Sequence, residues 1–285
     1  MNILVTGGAG FVGSTLCKQL SSLGHNVTSL DNYSNGFTSN HHDNVIYLKG
    51  DTKLIDTYFT NGETFDYIYH LGEYARVEQS FDNYETVMDY NYNSFPIVVN
   101  FAKRMNAKLI YSGSSTKFSV GEEGSAMSPY AYTKAQNTQF LKNYSDWFGL
   151  NYAIVYFYNA YGDHEVATGP TATVVAKFIN MVKNGATTLP VTLPGTQLRN
   201  FTHVEDIVSG LIMVGEMGSG DGYGIGNDKK HSIMDLVNYL GVDSKLTPEK
   251  AGNRMDGELK NTKVKALGWK TKYNLQEYIN EKFNI

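Results

Sequence analysis

Tyr130 and Lys134 stand four residues apart in "SPYAYTKAQ", a stretch of helical character. Four residues along a helix put both side chains on one face, one turn apart. A phenol ionises near pH ~10 and is a poor base at neutral pH, but a neighbouring ammonium and an oxidised, positively charged ring both favour its phenolate. In a chain with 21 tyrosines the pair alone reads as an ordinary helix-surface pair. Its setting changes that reading. Immediately after the strand-like "AKLIYS" comes "GSST", which puts Ser114, Ser115 and Thr116 at the carboxyl end of a parallel strand, where ligands of such sheets bind. A hydroxyl there can relay a proton.

A second constellation opens the chain. "ILVTGGAGFVG" sets Gly7, Gly10 and Gly13 behind a strand and at the start of a helix. A tight turn of this kind lets a pyrophosphate lie against backbone N–H groups at the positive end of the helix dipole, and glycine removes the side chains that would block it. The next strand, "HNVTSLD", ends in Asp31, placed to accept hydrogen bonds from both hydroxyls of an adenosine ribose. That carboxylate repels a 2′-phosphate, and "DNYSNG" offers no Arg or Lys to neutralise one, so the pattern selects NAD over NADP. Asp51, after "VIYLKG", either accepts from the adenine amine or caps a helix.

The elements that must position these groups follow from the apolar rhythm. Strand-like runs at 2–6, 26–31, 45–48, 66–71, 107–112 and 151–157 alternate with helical stretches such as 12–23, the signature of an α/β, doubly wound parallel sheet. After about residue 165 the rhythm changes to a loop, an amphipathic helix and a proline-bearing stretch, followed by a strand and helix in "RNFTHVEDIVSGLIMVGEM" and a short strand at 223–227. The expected division is a dinucleotide-binding Rossmann domain at 1–165 and about 200–228, with a smaller lobe at about 166–199 and 229–285. The 285 residues carry a formal net charge of −4, which offers no broad attraction to nucleic acid or an anionic membrane. Cys17 is the only cysteine, the seven histidines show no metal-ligand grouping, and no apolar run approaches ~18 residues. The expectation is a cytoplasmic protein without a metal.

Together these features resemble the extended short-chain dehydrogenase/reductases, in their nucleotide-sugar epimerase/dehydratase branch. The resemblance runs through "TGGAGFVGS", "LDNYSNG", "HLGEYARVEQS", "YSGSST", "YAYTK", "YNAYG" and "RNFTHVEDI", in that order along nearly the whole chain. It implies bound NAD along the glycine turn, with Phe11, Val12, Asn32, Thr52, Leu71 and Gly72 beside it. It implies Tyr130 as acid/base, Lys134 as its cofactor-binding partner and Ser114 as the hydroxyl shared with the sugar. Arg76 points toward the sugar, Asn159 resembles the residue that contacts the diphosphate, and Arg199 and Arg254 resemble the two diphosphate-binding arginines. The implied partners are a nucleotide-diphosphate sugar, a UDP-sugar first, and a second copy of the chain, through helices around 85–105 and 130–148. From composition alone those helical stripes read equally as core.

Dehydratases and decarboxylases of this branch carry a Thr-Asp-Glu or Thr-Ser-Glu run after the strand; here the positions are Ser114, Ser115, Thr116 and Lys117. The missing carboxylates favour simple 4-epimerisation, in which Tyr130 takes the proton of a sugar hydroxyl as NAD accepts hydride, and the ketone turns over before reduction on its other face. The alternatives are a 4-ketoreductase or dehydrogenase with net turnover, a dehydratase, and, ranked lowest, a non-catalytic NAD sensor. Several positions depart from the family's pattern. Gly72-Glu73 replaces two alanines, and Glu73 is either an extra acid/base, which would permit dehydration, or a partner for Arg76. Tyr156 stands where an Arg is common, and Ser119 replaces a frequent Gly. Asp206 reads as a helix-start carboxylate and Glu78 as a surface residue.

Overall fold

Alternation along the strands decides which layer each side chain enters. In β1 (Asn2–Thr6), Ile3 and Val5 join one buried cluster and Leu4 joins another, as the two-residue period of a strand requires when both faces are covered. The computed structural model describes residues 1–118, 128–249 and 255–283. In chain order, β1 is followed by α1 (Phe11–Ser22), β2 (Asn26–Asp31), β3 (Val45–Lys49), α2 (Ile55–Tyr58) and β4 (Tyr67–His70). Then come α3 (Tyr84–Val87), a π-helical stretch (Met88–Asn93), α4 (Phe95–Arg104), β5 (Lys108–Ser114), α5 (Pro129–Phe148) and β6 (Tyr152–Phe157). The remainder comprises β7 (Ala160–Tyr161), α6 (Val174–Lys183), β8 (Thr188–Thr192), β9 (Leu198–Arg199), β10 (Thr202–His203), α7 (Val204–Met217) and β11 (Gly220–Ile225). It closes with β12 (His231–Ser232), α8 (Ile233–Tyr239), β13 (Asp243–Thr247), α9 (Thr262–Ala266) and α10 (Leu275–Phe283).

Seven strands form one parallel sheet in the order β11-β6-β5-β4-β1-β2-β3. The order reverses between β1 and β4, so the crevice for a ligand opens above the carboxyl ends of those strands. Thr6, Asp31, His70 and Ser114 all lie at that edge. One face of the sheet is covered by α1 and α7, through Leu16, Cys17, Leu20, Val208 and Leu211; the other packs Phe95, Val98, Val99 and Leu141 of α4 and α5. A third cluster (Val175, Phe178, Leu189, Val191, Phe201, Leu236 and Ile279 among its members) builds a smaller layer around the parallel pair β8–β13. Val264 and Trp269 return to the large core, where the Trp269 indole donates to the Asp206 carbonyl at 2.9 Å.

The six strands expected before residue 158 form within two residues at either end, and the strand expected at 223–227 runs over Gly220–Ile225 instead. The helix expected over 85–105 is broken. Pro96 near the start of α4 has no N–H for the helical ladder, and the preceding turn widens into the π stretch, whose Asn91 is fully buried. Among the described residues no helix is long and apolar enough to cross a membrane.

Candidate active site

The crevice is a cavity of about 590 Å³ that runs from the β1–α1 turn to the smaller layer. At the end formed by the β1–α1 turn the glycines divide their roles in a way the spacing alone conceals. Gly7 has φ +74°, and a Cβ there would sit 2.8 Å from the backbone of Gly72; a Cβ on Gly13 would overlap the Gly7 carbonyl oxygen. The chain's own packing therefore already requires glycine at these two positions, both of which line the cavity. Gly10 alone faces open volume, with the Gly7 oxygen 3.2 Å from a modest Cβ. As N-cap of α1 it supplies no side-chain bond, which leaves the first-turn N–H groups beside Phe11 and Val12 for an acceptor in the cavity.

Asp31 ends β2, 7 % exposed, on the cavity wall. Its Oδ2 accepts the Ala9 N–H at 2.9 Å and its Oδ1 the Tyr33 N–H at 2.8 Å, with Tyr33 at φ +59°. The carboxylate thus holds the glycine turn and the β2 end together and keeps its remaining lone pairs toward the cavity. Asn32, Thr52, Leu71 and Gly72 line the same end. Asp51 caps the turn after β3 by accepting the Lys53 N–H at 2.8 Å through Oδ1, and it is not among the residues that line the cavity.

Tyr130 and Lys134 share the cavity-facing side of α5, whose start is set by Ser128 accepting the Ala131 N–H at 3.1 Å. The Tyr130 hydroxyl has no hydrogen-bond partner among the described residues. Ser114, 6 % exposed, accepts from the Thr116 hydroxyl at 2.9 Å, and its Oγ lines the same wall. Lys134 is 4 % exposed; its ammonium bonds to Glu73 and to the Ser112 carbonyl (2.6 Å) and lies 5.0 Å from the centre of the Tyr111 ring.

Glu73 pairs with Lys134, not with Arg76. Its carboxylate also accepts from the Asn137 amide at 2.9 Å and the Tyr111 hydroxyl at 3.2 Å, and His70 Nε2 lies 3.6 Å away. Burial opposes its ionisation, but the charge of Lys134 and the groups around it prevail and hold it below the usual carboxylate range. Burial and the Glu73 charge push the Tyr111 phenol well above its ordinary range, so Tyr111 stays a donor. Thr6 accepts the Gly72 N–H at 3.1 Å, and its hydroxyl lies 2.7 Å from His70 Nδ1.

The far end of the cavity takes Asn159, Arg76, Arg199 and the apolar Val166, Val175 and Phe201. Asn159 adopts φ +37°, a strained value for a side chain that carries a Cβ. Arg76 donates through Nε to the Thr171 carbonyl at 2.8 Å, which joins the segment after β4 to the loop before α6. Arg199 sits on β9, opposite His231. Arg254 and Ser119 lie outside the described residues.

Glu165, which no spacing rule singles out, is the cavity-wall group that sequence reasoning missed. It accepts the Gly162 N–H at 2.9 Å, its Oε1 is buried without a hydrogen-bond partner, and burial raises it to about 7. Asn137 was legible in principle: it lies three residues after Lys134, on the same helix face. Two further residues serve the structure, Asp206 at a helix start as expected and Tyr156 in the sheet core. The Tyr156 hydroxyl donates to Asp221 at 2.6 Å within the sheet core, away from the cavity. Asp206, 1 % exposed in the first turn of α7, accepts the Lys272 and Tyr273 N–H groups at 2.9 and 3.2 Å and so secures the C-terminal segment.

Residues 3–226 match the model of the NAD dependent epimerase/dehydratase family. A UDP-glucose 4-epimerase of Mycolicibacterium smegmatis is 27% identical over 306 residues, 98% of this chain and 96% of that protein. Among solved structures, UDP-glucose 4-epimerase from Thermotoga maritima, solved with UDP-glucose, superposes with a TM-score of 0.91 at 26% identity, covering 100% of this chain and 99% of that one. UDP-glucose 4-epimerase of Thermus thermophilus, solved in complex with NAD, gives 0.88 at 25% identity, with 100% and 98% covered.

Proposed function

Because the chain belongs to the NAD dependent epimerase/dehydratase family, we propose that it is a nucleotide-sugar 4-epimerase that acts on a UDP-sugar. The observation that carries this reading is the convergence of Tyr130, Ser114 and Lys134 on one cavity whose other end holds Asp31 beside an uncapped helix start. That end fits NAD: a Cβ-free N-cap for the pyrophosphate and a buried carboxylate for the ribose hydroxyls. When bound there, NAD supplies reversible oxidation of a sugar carbon.

The chain's own residues do the rest. The Tyr130 phenolate takes the proton of the sugar 4-hydroxyl, becoming the phenol, and the phenol returns it on re-reduction, while Ser114 holds that oxygen by hydrogen bond. Lys134 keeps one N–H beyond those given to Glu73 and Ser112, and that donor serves the cofactor ribose. Arg76, Asn159 and Arg199 grip the diphosphate end, a role Arg's planar fork suits. Glu73 does not act as a second acid/base on the sugar, since four neighbouring groups already surround its carboxylate.

One observation favours a second reading, dehydration: Glu165, at about 7 on the same wall, exchanges protons near neutral pH, as loss of water beside a ketone requires. Incubating the purified protein with UDP-, GDP-, dTDP- and CDP-sugars and resolving the products by NMR separates the two. A 4-epimer without net change in reduced-cofactor absorbance supports epimerisation; a 6-deoxy-4-keto product supports dehydration, and stoichiometric NADH a dehydrogenase. The reading includes a cytoplasmic homodimer. Its support is the exposed Tyr84, Tyr92, Tyr132 and Trp147 along the α3–π and α5 segments, and sedimentation velocity measures it.

A further inference from the structure

The reading above gives Glu73 no chemical step, yet its surroundings are built with care. The side chain is 1 % exposed, and donors reach it from two elements, Lys134 and Asn137 on α5 and Tyr111 on β5, while His70 Nε2 at the end of β4 lies 3.6 Å away. The donors are themselves held. Asn137 also donates to the Asn91 carbonyl at 2.8 Å, and Asn91, in the π stretch, takes the Tyr74 N–H at 2.7 Å and donates to the Tyr74 carbonyl at 3.0 Å. A buried carboxylate persists only where such partners are in place, and removing one side of a buried ion pair leaves the other charge uncompensated.

Tyr130 belongs to the same electrostatic neighbourhood. Glu73 and Arg76 from the segment after β4 and Glu165 from the loop after β7 line the same cavity as Tyr130, Lys134 lies one turn along its own helix, and the Tyr111 ring of β5 lies 5.0 Å from the Lys134 ammonium. With Glu73 ionised, the Lys134 site presents a neutral pair; without it, a bare ammonium.

We propose that Glu73 is a positioning residue that fixes the Lys134 ammonium against Ser112 and cancels its charge, so that Tyr130 faces an ion pair in place of a lone cation. Its influence on chemistry is exerted through Lys134 and Tyr130, and the inference rests on the reading of Tyr130 as acid/base. Removing the carboxylate's charge favours the Tyr130 phenolate, since an opposite charge within a few ångströms stabilises an ionised group and a like charge destabilises it.

The test reads ionisation directly. Protein carrying NAD is prepared with 13Cζ-labelled tyrosine, and the signal absent from Tyr130→Phe is assigned to Tyr130. In Glu73→Gln the phenolate-to-phenol ratio at a given pH is expected to rise roughly tenfold, a midpoint about one pH unit lower. Glu73→Asp, which keeps the charge, is expected to titrate with the wild type. A Glu73→Gln midpoint equal to wild type overturns the proposal, as does a Glu73→Asp midpoint that follows Gln. If Glu73→Gln does not fold, wild-type protein decides: a through-hydrogen-bond coupling between Lys134 15Nζ and the Glu73 carboxylate carbon sustains the proposal, and its absence overturns it. None of these readouts requires sugar turnover. Separated titrations in a protein that converts no nucleotide sugar defeat the epimerase reading and leave this one standing.

Discussion

Asp31 Oδ2 accepts the amide of Ala9 at 2.9 Å, and this bond joins the end of β2 to the turn between β1 and α1. One carboxylate thereby shapes the turn and lines the cavity, where the proposed function has it meet the ribose hydroxyls. Asp31→Ala is expected to weaken NAD binding by tenfold or more, about 1.5 kcal/mol for a lost charge-assisted bond, and to narrow the preference over NADP. Isothermal titration calorimetry with both dinucleotides measures it; unchanged NAD affinity contradicts the role given to Asp31.

The glycines separate stability from binding. Gly13→Ala drives a methyl into the Gly7 carbonyl and is expected to lower stability by about 2–3 kcal/mol in chemical denaturation. Gly10→Ala meets only a 3.2 Å neighbour and is expected to fold almost normally while binding NAD less tightly. Equal loss of stability in both variants contradicts this division.

How much of this was legible in the sequence depends on how many elements a feature needs. Asp31 and the Tyr130–Lys134 pair each lie on one strand or one helix face, and local periodicity suffices to place them. The doubly wound sheet was legible too, because its strands are continuous apolar runs between helices. Glu73 was not: its partners come from β4, β5 and α5, so only the tertiary fold shows that Lys134 answers it and Arg76 does not. The Gly7–Gly13 contact was hidden for a similar reason, since the same letters serve backbone packing and ligand approach alike. Tyr156 stood at a position associated with substrate and belongs to the core, where Asp221 from β11 takes its hydroxyl.

Glu165 gives stability a pH dependence of known sign. Its folded value is about 7 against an ordinary 4.5, so between those values the folded state binds more protons than the unfolded chain, and stability falls as pH rises. His203, which burial holds at about 4, tilts the curve the opposite way, so the comparison with Glu165→Gln isolates the glutamate. The variant is expected to match wild type near pH 4 and to become the more stable by up to about 3 kcal/mol at pH 8. Denaturation midpoints at both pH values measure this; a constant difference contradicts it.

Asp206 is expected to matter for stability rather than chemistry. Asp206→Ala removes the acceptor of the Lys272 and Tyr273 amides and is expected to destabilise by about 2–4 kcal/mol, with NAD affinity intact below the transition. Calorimetric melting and titration of NAD into the variant provide both readouts.

The central claim is that Tyr130 serves a reversible oxidation confined to C4 of a nucleotide sugar. Its most direct measurement follows a UDP-hexose deuterated at C4, incubated with the NAD-bound protein in ordinary water. The expected result is a 4-epimer that retains the deuterium at C4, and Tyr130→Phe protein that still binds NAD but turns over at least about a thousandfold more slowly. Deuterium lost to solvent, solvent hydrogen gained at C3 or C5, or a Tyr130→Phe variant as fast as wild type contradicts the claim.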